Sequence, residues 1–224
     1  MRYLIIISLF TALATAPLNC LTQVTSDFLE RGSIHPGYVI TLQGDTVRGH
    51  LLNINLWLNQ RMTFLYADPN DRESRVKYSP KEIRAYQVGP RHYESFHRMF
   101  TNSTHADNFL LRKIDGPVKY YVWYFDEDRT KAAVWDKLSL TDLAKAFLME
   151  EEELWKEEFA MREGEITLTE FNLKFLMKFA KNMSGYVADY PELAQKIAVK
   201  QEGYKNIDIG KIIREYNEWL LKKP

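Results

Sequence analysis

Tyr38-Val39-Ile40-Thr41-Leu42-Gln43-Gly44-Asp45-Thr46-Val47-Arg48-Gly49-His50-Leu51-Leu52 is the stretch that decides the fold. Its first six residues alternate, which places Tyr38, Ile40 and Leu42 on one face of an extended chain. A second strand-like run follows Gly44-Asp45. Two such runs around a glycine-containing pair predict a hairpin, because glycine supplies the positive φ that tight hairpin turns need.

Outward from this hairpin the same grammar repeats. Arg61–Tyr66 reads as a third strand, and Asp68-Pro69-Asn70-Asp71 as a loop. Arg75–Tyr78 reads as a short edge strand. Ser79-Pro80-Lys81-Glu82 turns the chain into Ile83–Val88, and His92–Phe96 follows Gly89-Pro90. Phe109–Ile114 and Val118–Phe125 flank the turn signal Asp115-Gly116-Pro117, and Lys131–Trp135 reads as a last strand. Short strands with no helix between them predict an antiparallel sheet, barrel or small sandwich over residues 36–135.

Beyond Ser139-Leu140-Thr141-Asp142 the period changes. Leu143, Phe147, Leu154 and Trp155 form one apolar stripe of a long acidic helix that Gly164 ends. Thr169-Glu170-Phe171 starts a second helix, with Leu173, Leu176, Met177 and Ala180 facing inward. Asp189-Tyr190-Pro191-Glu192 reads as a cap and early proline of a third. Asp208 caps a fourth, where Ile209, Ile212, Ile213, Tyr216 and Leu220 follow the helical period. The expected fold is therefore α+β: an antiparallel, barrel-like β region, then a helical region over residues 136–224 packed on it.

Composition limits the possible functions. The 224 residues are 46% apolar and 13% aromatic, which fits a chain that buries a core. Thirty basic and thirty acidic side chains balance. The amino-terminal 135 residues carry 16 basic and 13 acidic groups, and the remainder carry 14 and 17. That offset is too small to indicate nucleic acid as a partner.

The amino end carries an address. Met1-Arg2 precedes an apolar run from Leu4 to Ala16, and Ala14-Thr15-Ala16 has the small-x-small pattern of a signal-peptidase site. The run is shorter than the roughly 20 residues that a permanent span requires. Residues 1–20 are expected to be a signal peptide, giving an exported protein (periplasmic, secreted or outer-membrane-associated) with no transmembrane span in its mature part. Pro17 is a poor residue after that site, so a later cut fits as well. Cys20, the one cysteine, raises lipidation as an alternative, although Asn19 is not the small residue that a lipobox places there. A single cysteine allows no internal disulfide.

The run Gly37–Gly49, together with Tyr78-Ser79-Pro80-Lys81-Glu82-Ile83-Arg84-Ala85-Tyr86, resembles segments of uncharacterised exported proteins of Bacteroidota-type bacteria. Asp189-Tyr190-Pro191-Glu192-Leu193 and Glu215-Tyr216-Asn217-Glu218-Trp219 are similar to that group too. The resemblance covers about a quarter of the chain. It implies an envelope address and supplies no activity.

Candidate chemistry is sparse. Asp126-Glu127-Asp128-Arg129-Thr130 follows an apolar run and resembles the nucleophile motif of haloacid-dehalogenase-type phosphatases. That fold needs a parallel βαβ sheet, and no βαβ pattern precedes this strand, so Asp126 and Asp128 read as an acidic turn. As a calcium site they lack the glycine and distal glutamate of an EF-hand loop. The five histidines contain no His-Glu-x-x-His, and His92 and His97 point to opposite faces of a strand. No Gly-x-Ser-x-Gly elbow and no glycine-rich phosphate loop occur. No cofactor is implied. Tyr121, Trp123 and Phe125 form either an aromatic ligand platform or one face of a central strand covered on both sides. The expected function is a non-catalytic exported protein binding an unidentified protein or polymer of the envelope. The alternative is a hydrolase with dispersed carboxylates.

Overall fold

The computed structural model describes residues 29–97, 107–125, 148 and 154–223. Ten strands lie among them: β1 (Ile34–Thr41), β2 (Thr46–Leu52), β3 (Thr63–Tyr66), β4 (Arg75–Tyr78), β5 (Ile83–Val88), β6 (Arg91–Phe96), β7 (Asn108–Ile114), β8 (Val118–Phe125), β9 (Trp155–Arg162) and β10 (Thr169–Glu170). All join one antiparallel sheet in the order β10-β9-β8-β7-β6-β5-β1-β2-β3-β4. The chain first makes a meander from β1 to β4. It then returns to the free side of β1 and builds a second meander from β5 onward. The expected α+β fold is the observed one, with the helical region following the sheet.

The return from β4 to β5 forces the sheet to curl. In a flat sheet these strands would stand four spacings apart, about 19 Å. The five Cα steps from Tyr78 to Ile83 span at most about 18 Å when fully extended. They are not extended, because Glu82 N–H bonds the Ser79 carbonyl at 3.1 Å. Glu82 also accepts from the Ser79 N–H and hydroxyl, both at 2.7 Å. Strands β1–β5 must therefore roll, which gives the barrel-like character expected from sequence. Inside the curl lie Val39, Leu51, Leu65, Ile83, Tyr86, Val88, Tyr93, Phe109 and Leu111. Val39, and not the Tyr38–Ile40–Leu42 face, supplies the core residue of β1; Leu42 is exposed. The hairpin itself forms as expected, with Gly44 at φ +99° in its loop.

A short helix, α1 (Leu56–Asn59), sits between β2 and β3 and was not expected. Asn55 caps it by accepting from Leu58 N–H at 2.8 Å, and Asn59 Oδ1 accepts from Ile54 N–H at 2.8 Å.

Four helices follow the sheet: α2 (Leu173–Met177), α3 (Phe179–Tyr186), α4 (Pro191–Ala198) and α5 (Ile209–Lys222). They bury Phe179, Met183, Val187, Leu193, Ile197, Ile212, Ile213 and Tyr216 against Ile114, Val118, Tyr120, Val122 and Ala160 of the sheet. Asn217 of α5 bonds both backbone groups of Val118. Arg162 of β9 lies between the rings of Tyr186 and Tyr216, 4.7 and 5.0 Å from their centroids.

Several expectations are corrected. Trp155 does not continue a helical stripe. It begins β9, which pairs with β8 from Phe125↔Trp155 to Val118↔Arg162. Its apolar pair Phe159 and Ala160 enters opposite faces of the sheet. The sheet thus extends past residue 136, and the helical region begins later than expected. Thr169 and Glu170 are strand, and the helix starts after Asn172, which caps Phe175 N–H at 3.0 Å. Leu173 and Met177 face solvent, because the helix breaks at Lys178 and Phe179 restarts it in a new phase. Asp189 makes no cap; it accepts from the Tyr216 hydroxyl. The readings of residues 1–20 with Cys20, of Asp126 and Asp128, of Lys131–Trp135 and of Ser139–Phe147 lie outside the described residues.

Candidate functional site

Strand β8 alternates between two environments. Val118, Tyr120 and Val122 face the helices, while Tyr121, Trp123 and Phe125 face the other way with Leu110 and Phe159. The latter three aromatics are only 0, 3 and 6% exposed. Trp123 stacks on Phe125 at 4.9 Å, and the Arg61 guanidinium lies 5.7 Å from its ring. They present no open aromatic platform. β8 is the covered central strand that its doubly apolar pattern also suggested.

The same outer face carries a polar network centred on Glu94. Its Oε2 accepts from the Tyr121 hydroxyl at 2.7 Å, and its Oε1 accepts from Arg112 Nη1 at 2.6 Å. Lys119 Nζ stands 3.4 Å from Oε1, and His92 Nε2 stands 3.6 Å away, beyond hydrogen-bond length. Burial pushes the Glu94 carboxyl up. The His92 imidazole, the Tyr121 hydroxyl and the Lys119 and Arg112 charges more than offset this, holding it at about 2. Burial and the Glu94 charge push the Tyr121 phenol well above its usual range. Glu94 is thus a fixed anion with both oxygens engaged, suited to tying β6, β7 and β8 together. A proton-transfer group would instead need a value near the working pH.

Among the described residues, no three His, Cys, Asp or Glu side chains come together to hold a metal ion. One groove of about 450 Å³ near Gly116 and Gly164 mixes charges, with Asp115, Glu163 and Glu165 beside Lys119 and Arg162.

A second groove, of about 490 Å³, carries charge of one sign. It lies where α2 and α3 meet the segment between α4 and α5. Leu176, Phe179 and Tyr204 form its apolar wall. Lys178, Lys181, Lys200 and Lys205 rim it, and no acidic residue among the described residues lines it. None of these four lysines makes an ion pair with a described residue. Below the rim, Tyr204 donates to Glu215 at 2.8 Å, Lys196 pairs with Glu215 at 2.8 Å, and Lys211 Nζ lies 4.2 Å from the Tyr204 ring centroid. Burial raises the Glu215 carboxyl, but Lys196, Tyr204 and Lys211 pull it lower overall, so the acid bonded to Tyr204 is an anion already paired with Lys196.

The backbone at Lys200 adds to this picture. Lys200 N–H bonds the Ile197 carbonyl and Gln201 N–H bonds the Lys196 carbonyl, both at 3.0 Å. These two bonds form a Schellman motif, whose left-handed position is ordinarily glycine. Lys200 holds it at φ +54°, the one positive φ at a non-glycine residue among the described residues. A lysine there costs about 1 kcal/mol relative to glycine. Lys200 also lines the groove, so the one strained non-glycine backbone position among the described residues coincides with it.

Sequence reading missed this groove because the lysines come from two separated segments of a neutral chain. The available signal was local: Lys178 and Lys181 sit a helical turn apart, and Lys200 and Lys205 bracket a turn. Comparison with family models, with curated proteins and with solved structures finds no match for this chain.

Proposed function

We propose that this is an exported, non-catalytic binding protein that engages an anionic component of the cell envelope through the lysine-rimmed groove. The observation that carries the reading is the set of four lysines around an apolar wall, with neither an ion-pair partner for them nor an acid in the lining among the described residues. Such a site attracts negative charge and offers apolar contact beneath it. The partner, expected from sequence to be a protein or polymer, is narrowed here by charge alone. Export is supported by the basic start, the apolar run Leu4–Ala16 and the resemblance to exported Bacteroidota-type proteins.

The alternative, a hydrolase with dispersed carboxylates, finds less support. Glu94 is held at about 2, away from the range useful for proton transfer at neutral pH.

The test is titration of labelled poly-glutamate into the full chain at low and at physiological salt. Saturable binding that weakens with salt, and that the Lys178→Glu/Lys181→Glu variant loses, is expected. Equal binding by parent and variant, or none by either, overturns the reading.

A further inference from the structure

We infer that the groove docks on the surface of an anionic lipid bilayer, a proposal that rests on the anion-binding reading above and names its partner. The discriminating observation is the apolar side chains that stand in water beside the lysines. Leu173 and Met177 are 75 and 78% exposed, and their spacing places them on one face of α2. Met177 itself lines the groove. Val199 directly precedes Lys200, and Ile207 directly follows Asn206, two residues that also line it. Ile207 is 86% exposed, the second most exposed large apolar side chain among the described residues.

Single exposed apolar residues are ordinary; four on the two chain segments that build one cationic groove are not. An acidic peptide would satisfy the lysines and leave Leu173 and Ile207 in water. A bilayer surface satisfies both: apolar side chains enter the boundary between headgroups and acyl chains, while lysine ammonium groups remain with the lipid phosphates. Among the described residues no helix is long and apolar enough to cross a membrane, so the contact proposed is peripheral. Each signal is weak alone, and stable surface binding takes two.

The experiment is co-sedimentation of the full chain with vesicles of phosphatidylglycerol and phosphatidylcholine, and with vesicles of phosphatidylcholine alone. Poly-glutamate titration runs in parallel. Two variants are compared with the parent: Lys178→Glu/Lys181→Glu, and Leu173→Ser/Ile207→Ser. The apolar amino-terminal segment is common to all three, so differences between them report the groove. All four sites lie at the surface, and circular dichroism checks that the variants stay folded. Expected are binding to the anionic vesicles in preference to the neutral ones, and at least a tenfold loss in either variant. Poly-glutamate binding should fall in the lysine variant and stay unchanged in the apolar one. Binding to poly-glutamate without binding to anionic vesicles overturns the bilayer and leaves the anion site standing. Binding to neither removes both readings. Vesicle binding that is indifferent to lipid charge, or to either variant, overturns docking at this groove.

Discussion

The side-chain amide of Asn217 forms a two-bond ring with the backbone of Val118, accepting from its N–H and donating to its carbonyl, each at 2.7 Å. The two residues are 99 positions apart. The amide acts as a one-residue strand partner where helix α5 meets the first residue of β8, and the site is buried. Asn217→Leu would fill a similar volume and leave both Val118 groups without partners. At about 1–3 kcal/mol for each of the two orphaned groups, a loss of about 2–6 kcal/mol is expected. Urea unfolding followed by fluorescence measures it, and a loss below about 1 kcal/mol would show that water replaces the amide.

Gly37 and Gly49 are cross-strand partners in the β1/β2 hairpin. A Cβ on Gly37 would sit 1.9 Å from the Gln87 carbonyl oxygen, and one on Gly49 would sit 2.7 Å from the Tyr66 carbonyl oxygen. Both contacts are with backbone, so nothing flexible yields. Gly37→Ala is expected to cost more than about 2 kcal/mol, or to prevent folding, through overpacking at the curl. Gly185→Ala provides the opposite case. Gly185 lies in α3, and a Cβ there would meet nothing within 4 Å, so the change should stabilise by about 0.5–1 kcal/mol. Thermal midpoints of the two variants should move in opposite directions.

Much of this fold was legible because the strands announce themselves locally. The Gly44 hairpin, the edge position of β4 and the doubly apolar β8 follow from alternation and turn chemistry. The long-range decisions were not legible. Trp155-Lys156-Glu157-Glu158-Phe159-Ala160 is helix-like in composition, and only pairing along the whole of β8 makes it a strand. That tertiary context outweighs the modest propensities of these residues. Leu173 and Met177 fit a helical stripe but lost their buried side when the chain broke at Lys178. The groove depends on bringing together residues 176–181 and 200–206, which no local pattern encodes.

Glu94 should make stability depend on acid. Its folded value of about 2 lies below the ordinary 4.5. A depressed carboxyl contributes stability that is present above the unfolded value and is lost as pH falls toward the folded one. The loss from this group therefore falls between about pH 4.5 and 2, and it should amount to a few kcal/mol, on the order of 2–3. Glu94→Gln should flatten that part of the profile relative to the parent while lowering stability at pH 7. Urea midpoints at intervals from pH 2 to 7 test this; parallel profiles for the two proteins would remove Glu94 as the cause.

Trp123 and Trp155 offer a matched pair on adjacent strands. Trp123 is buried against Phe125, whereas Trp155 is 60% exposed. Trp123→Ala is expected to cost about 3–5 kcal/mol by opening a cavity, and Trp155→Ala to stay within about 0.5 kcal/mol. If folded Trp123→Ala protein keeps its poly-glutamate binding, the tryptophan serves the core alone. Loss of binding without loss of stability would restore the platform reading of Tyr121, Trp123 and Phe125.

Lys200→Gly separates stability from binding at one residue. Glycine adopts φ +54° freely and keeps both Schellman bonds, since these use only backbone atoms. The variant should be more stable than the parent by roughly 0.5–1 kcal/mol, with part of the gain offset by the greater freedom of glycine in the unfolded chain. It also removes one of four rim charges, so affinity for poly-glutamate should fall severalfold and its dependence on salt should become shallower. Opposite movement of the two quantities is the signature of a side chain kept for its charge in a strained position. A variant that gains stability and binds as the parent does would show that Lys200 takes no part in the site, leaving its left-handed backbone without a functional reason.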